Sequence, residues 1–189
     1  MTKAAPADWK RTRGAQNAAS SNQYYRVNPT IDIAVTNAAD AAGVDTQRLT
    51  KAVACVLRSE SVTDAQVSVA LVDDTTIHEL NRRYLDHDYP TDVLSFPMSR
   101  GADRLEGEIV VSLTTAARQA ADYGWAAADE LLLYVVHGAL HLLGYDDHRP
   151  EDLRVMRQRE IQILAQFGVT PNYPSPAAGE ITTVQDVEG

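Results

Sequence analysis

Three of the five histidines in this 189-residue chain fall inside one twelve-residue stretch, HGALHLLGYDDH, from His137 to His148. His137 and His141 are four apart, a spacing that stacks two side chains on the same face of a helix. Two imidazoles so placed can grip one metal ion together. Their neighbours, among them Leu132, Val135, Val136, Leu140 and Leu142, make the segment apolar nearly all round, so this helix is expected to be buried. Burial disfavours the imidazolium form, and the neutral ring is the one that binds zinc. Two core histidines satisfied by backbone carbonyls are the alternative. The metal-capable side chains that follow at once weigh against it.

Gly144 is suited to the left-handed conformation that ends a helix and turns the chain back, so that either Asp147 or His148 can reach the same ion. Three protein ligands with an open position form the arrangement of a catalytic zinc site. A zinc peptidase of the H-E-x-x-H type carries its glutamate base directly after the first histidine. Here that position is Gly138, so peptide hydrolysis by that route is not expected.

The elements that must position these groups follow from periodicity. IDIAVTN (31–37) and AQVSVALVDD (65–74) alternate as strands, and TQRLTKAVACVLRS (46–59) is an amphipathic helix with Cys55 in its core face. TTIHELNRRYL (75–85) opens with threonines suited to an N-cap and predicts a short helix. TDVLSFPM and GEIVVSL predict two further strands separated by a loop, SRGADRLE. Three helices follow, each ending at a glycine, the last opening at Pro150. The expectation is a single α+β domain over 29–170, with about four strands in a mixed sheet and about five helices. Residues 1–28 read as a disordered basic tail, with Lys3, Lys10, Arg11, Arg13 and Arg26 against Asp8. Residues 171–189 read as a disordered C-terminal tail.

The formal net charge of −9 argues against strong sequence-independent binding to nucleic acid, although the basic tail can reach a phosphate backbone. A single cysteine allows no internal disulfide. No apolar run is long enough for a membrane span, and the N-terminus has no signal-like apolar core. A cytoplasmic protein with no membrane partner is expected.

The segments VVHGALHLLGYDDH, LNRRYLDHDYPTDVLSFP and GEIVVS together resemble the YbeY family of bacterial endoribonucleases, over roughly residues 31–169. The resemblance implies an α+β fold with a metal at the floor of a cleft. It also implies one zinc ion per chain and cleavage of single-stranded RNA in the maturation of the 16S ribosomal RNA 3′ end and in ribosome quality control. Ribosomal RNA and the small ribosomal subunit are then the expected partners, and DNA is not.

Two departures from the family pattern concern the site. The family's third histidine stands six places after the second, where this chain has Asp147, with His148 one place later. Ungapped register through Met156 makes Asp147 the third ligand and leaves His148 as the alternative. The family also carries an arginine directly after the tyrosine of the LNRRYL segment, where this chain has Leu85. Arg82, on the same helix face, is the expected substitute, against a reading of Arg82 and Arg83 as solvated charges. The expected catalytic groups are therefore His137 and Arg82, and the expected ligands His137, His141 and Asp147. A metallohydrolase of another substrate class and a zinc-braced assembly factor without catalysis are the competing readings. Ser95 and Ser112 have no base beside them in sequence, Asp88 and Asp92 suit turn and strand-start chemistry, and Tyr145 is expected to pack on the histidine helix.

Overall fold

Strict alternation in the strands sorts this chain into two unequal layers. Ile31, Ile33 and Val35 of β1 (Ile31–Asn37) point to the same side as Val67, Val69 and Leu71 of β2 (Asp64–Val72), while Asp32, Gln66 and Ser68 point away. The computed structural model describes residues 30–100 and 104–173. The expectations for residues 1–28 and 174–189 lie outside the described residues.

The full order is β1, α1 (Thr46–Ser59), β2, α2 (Asp74–Leu85), β3 (Val93–Arg100), β4 (Arg104–Ser112), α3 (Leu113–Tyr123), α4 (Ala127–Leu142) and α5 (Pro150–Ala165). The sheet order is β1-β2-β4-β3, with β1, β2 and β4 parallel and β3 antiparallel at the edge. This is the α+β domain with a four-stranded mixed sheet and five helices that the periodicity predicts. No helix among the described residues is long and apolar enough to cross a membrane.

One sheet face carries the main core, built with α1, α4 and α5, in which Leu132, Leu140, Leu142, Met156 and Ile163 are almost fully buried. Each such side chain contributes about 1.5–3 kcal/mol relative to leaving it in water. Among the described residues the other face is covered by α2, through Ile77 and Leu80 against Leu94, Val110 and Phe96. Elsewhere on that face Asp32, Gln66, Ser68 and Glu106 line a groove.

α4 lies against β3 and β4 because Gly138 permits it. A Cβ on Gly138 would come within 2.7 Å of Ile109 Cγ2 and 2.9 Å of Val93 Cγ2, well inside the ~3.5–4.0 Å of an ordinary carbon contact. Ser95, buried on β3, donates to the Gly138 carbonyl at 3.0 Å and ties strand to helix. The position that would hold a peptidase glutamate is therefore a packing contact with no space for any side chain.

Four local readings differ from the structure: first, β2 stops at Val72, so Asp73 and Asp74 of the segment read as strand are the N-cap and first residue of α2. β3 runs to Arg100 and β4 starts at Arg104, so strand occupies most of the segment read as the loop SRGADRLE. The N-cap of α2 is Asp73, whose side chain accepts from the Thr76 N–H at 2.8 Å, in place of the threonines. Asn172 and Tyr173, assigned by sequence to the C-terminal tail, are bound to the domain through the Tyr123 carbonyl and Glu160.

Candidate metal centre

The histidine helix ends in a Schellman turn. Gly144 adopts a left-handed φ of 79°, its N–H donates to the His141 carbonyl at 2.8 Å, and the Tyr145 N–H donates to the Leu140 carbonyl at 3.1 Å. The reversal brings the Tyr145 carbonyl and the Asp147 carboxylate back to the imidazoles. α5 then starts at Pro150 and packs beside α4, which places Glu160 against His137.

Each imidazole is oriented by its Nδ1 atom. His137 Nδ1 lies 2.6 Å from Glu160 Oε1, and His141 Nδ1 lies 3.0 Å from the Tyr145 carbonyl oxygen. A carboxylate and a carbonyl only accept, which assigns the proton to both Nδ1 atoms. Both Nε2 lone pairs then face one another across 2.9 Å, with the rings at 83°. Two acceptors this close repel unless a cation stands between them. Asp147 supplies the third side: its Oδ2 is 3.7 Å from His137 Nε2 and its Oδ1 is 3.9 Å from His141 Nε2.

This donor set fits a metal ion. Bonds of ~2.0–2.1 Å in a tetrahedron place neighbouring ligand atoms roughly 3.3 Å apart, and the three separations bracket that value. His137, His141 and Asp147 form one potential metal-holding group, and Asp146, Asp147 and His148 form a second that shares Asp147.

Electrostatics agrees with the geometry. Burial pulls the His137 imidazole down, yet the hydrogen bond and charge of Glu160, aided by Asp92 and Asp147, hold it above its ordinary value. Burial and the adjacent His137 push His141 below its own. His148 sits apart, 40% exposed, and is hydrogen-bonded to Asp146, which raises its pKa. Its Nδ1 is 3.7 Å from Asp147 Oδ1.

His137, His141 and Asp147 line a cavity of about 350 Å³. Leu85, Thr91 and Asp92 form one wall, and Leu153, Arg157, Glu160 and Tyr173 form another. Arg82 is exposed on the last turn of α2 and is not among the lining residues. Asp92 accepts from the Val93 N–H and from Thr91, so its carboxylate starts β3 while facing the cavity. Asp88 pairs with His78 at 2.9 Å.

Four other residues weighed from sequence hold the scaffold. Ser95 binds the Gly138 carbonyl, Ser112 caps α3, and Cys55, half-buried, donates to Gln166 at 3.2 Å. Tyr145 packs against the core and donates to Glu60 at 2.8 Å. Sequence reasoning passed over Glu160. Its signal was present in α5, where a carboxylate occupies the same buried face as Met156, Ile163 and Leu164. A charge on an apolar face needs a partner, and here the partners are His137 and the Tyr173 hydroxyl.

Two half-buried imidazoles, one carboxylate and an adjoining cavity on an α+β scaffold form a potential metal site. The chain belongs to the Endoribonuclease YbeY family, whose sequence profile matches residues 34–168. It is 43% identical over 139 residues to the endoribonuclease YbeY of Carboxydothermus hydrogenoformans, covering 71% of this chain and 96% of the relative. It is 40% identical over 149 residues to that of Pelotomaculum thermopropionicum, covering 73% and 98%. The solution structure of TM1509 from Thermotoga maritima is similar in fold, with a TM-score of 0.50 at 26% identity, covering 72% of this chain and 91% of that one.

Proposed function

We propose that this chain is a zinc-dependent endoribonuclease that cuts single-stranded RNA in the cytoplasm, acting on the 3′ end of 16S ribosomal RNA and in ribosome quality control on the small subunit. The observation that carries this reading is the convergence of His137, His141 and Asp147 on one point beside a cavity, in a chain of this family. In the proposal these three residues hold one zinc ion per chain, with Asp147 as third ligand in preference to His148. Bound there, zinc supplies Lewis acidity, polarising a phosphate oxygen and making a water molecule acidic near neutral pH.

The chain's own groups do the rest. Glu160 fixes the tautomer and the ring orientation of His137, and the Tyr145 carbonyl does the same for His141. In the proposal His148, hydrogen-bonded to Asp146 and next to Asp147 at the edge of the site, passes a proton to the leaving oxygen. Arg82 and Arg83, exposed at the end of α2, are suited to phosphates that pass outside the cavity.

The test uses purified full-length protein with single-stranded RNA, duplex RNA and a peptide, before and after chelation and with zinc restored. Cleavage of single-stranded RNA alone, lost on chelation and regained with zinc, is the expected result. Peptide cleavage, or chelator-resistant RNA cleavage, overturns the proposal.

A further inference from the structure

The cavity beside the metal centre is mostly negative. Asp92, Asp147 and Glu160 line it, and among the described residues Arg157 is the one arginine or lysine that does. A phosphodiester entering such a space is repelled except where that cation stands, so the position of Arg157 decides where a phosphate can rest.

Arg157 lies three residues before Glu160 on α5, a spacing that puts the two side chains on neighbouring faces of the helix. It is half-buried, and its guanidinium carbon stands 4.8 Å from the centroid of the Tyr173 ring. That distance allows a cation–π contact, which orients the plane without using the N–H donors. Tyr173 in turn donates its hydroxyl to Glu160, the residue that holds His137. The guanidinium is thereby referenced to the metal centre through two rigid contacts.

Among the described residues no carboxylate pairs with Arg157, which sets it apart from five other arginines. Arg48, Arg104, Arg118, Arg149 and Arg159 each pair with a carboxylate. Arg58, Arg82, Arg83 and Arg154 are exposed to water. Among the described residues, Arg157 is the arginine that is both sheltered and without a carboxylate within ion-pair distance. A partly desolvated guanidinium with unused donors gains most from an anion that arrives with the substrate.

We infer that Arg157 is the phosphate-binding residue of the cleft, gripping the nonbridging oxygens of an RNA phosphodiester while Tyr173 holds its plane. The inference rests on the ribonuclease reading above. It moves the phosphate contact from α2, where sequence placed it at Arg82, to α5 on the opposite wall.

The experiment measures binding of a fluorescent single-stranded oligoribonucleotide to the metal-loaded full chain across a salt series, with cleavage followed in parallel. Arg157→Ala should weaken RNA binding about tenfold or more, with melting temperature and metal content unchanged. The slope of log K against log salt should shrink by about 0.7, the value for one phosphate contact on a single strand. Arg157→Lys should restore the salt slope but only part of the cleavage rate, because an ammonium cannot make the two-pronged contact. Arg157→Gln, which keeps a stem along the cavity wall, should show the same loss as alanine and guards against a folding defect in the alanine variant. Arg82→Ala should lose less than threefold. Binding and salt slope unchanged in both Arg157→Ala and Arg157→Gln, in a wild type that binds and cuts RNA, overturn the role of Arg157 alone. A metal-loaded wild type that neither binds nor cuts RNA overturns the ribonuclease reading, and this inference with it.

Discussion

Glu160 is 2% exposed, lies on a helix other than the one that carries the histidines, and has its oxygens engaged by His137 Nδ1 at 2.6 Å and by Tyr173. Replacing it with glutamine keeps an acceptor of nearly the same shape and removes the charge. A hydrogen bond to a charged group contributes ~1.5–3 kcal/mol against ~0.5–1.5 for a neutral one, so the substitution costs His137 about 1–1.5 kcal/mol of electron donation and orientation. Metal affinity should fall roughly tenfold, at the lower end of the ~10–100-fold that such supporting residues are worth. Glu160→Leu, which leaves both the Nδ1–H and the Tyr173 hydroxyl unpaired, should fall further, toward a hundredfold. Competition against a chromogenic chelator measures both. The melting temperature of the metal-free protein supplies an independent check, since removing a buried carboxylate need not destabilise the fold and can stabilise it. Equal metal affinity in wild type and Glu160→Leu, with both folded, would refute the reasoning that Glu160 organises the site.

Asp147→Ala should lose metal, while His148→Ala should keep it and lose RNA cleavage; metal analysis that shows the reverse makes His148 the ligand. Gly138→Ala should destabilise by ~1–3 kcal/mol of overpacking against Ile109 and Val93, offset by up to ~1 kcal/mol of helix propensity, and a urea midpoint above wild type would contradict it. Burial alone would raise the Asp74 carboxyl, but bonds from Ser112, Thr115 and Arg118 hold it below the ordinary range. Its contribution is therefore present above the unfolded value near ~4 and lost as pH falls through the lower folded one. Asp74→Asn should be ~1–3 kcal/mol less stable at pH 7, with the gap to wild type closing in acid; a gap that is constant from neutrality down to pH 3 tells against this.

The strands and helices were legible because burial on one face imposes a period, and that period survives in the residues themselves. Thr46–Ser59 is read from sequence to the residue. The β3–β4 hairpin was over-read as loop because Arg104, Glu106 and Glu108 face the grooved side of the sheet, so half the segment is charged although Leu105 and Ile109 keep the alternation. Its continuation as strand comes from pairing with β2, where Asp64 meets Arg104 and Gln66 meets Glu106, and such pairing is not local information. The same limit applies at the site. His137 and His141 are visible because one helix turn relates them. Glu160, Arg157 and Tyr173 reach the cavity only through the packing of α5 on α4. Arg82 and Leu85 share a helix face by spacing, yet Leu85 packs inward to line the cavity and Arg82 points to water.

β3, which ties the sheet to the histidine helix through Ser95, is an outermost strand among the described residues, and its register shifts between Pro97 and Ser99 so that Met98 is the extra residue. A proline presents no N–H to an incoming chain, and a bulge bends the ladder out of line, so this edge is a poor template for another strand. Colloidal behaviour follows from that. A strand that must leave one side unpaired to stay beside the cleft would otherwise invite edge-to-edge stacking when the protein is concentrated. Met98, 71% exposed at the bulge, stands where a flat ladder would have to continue.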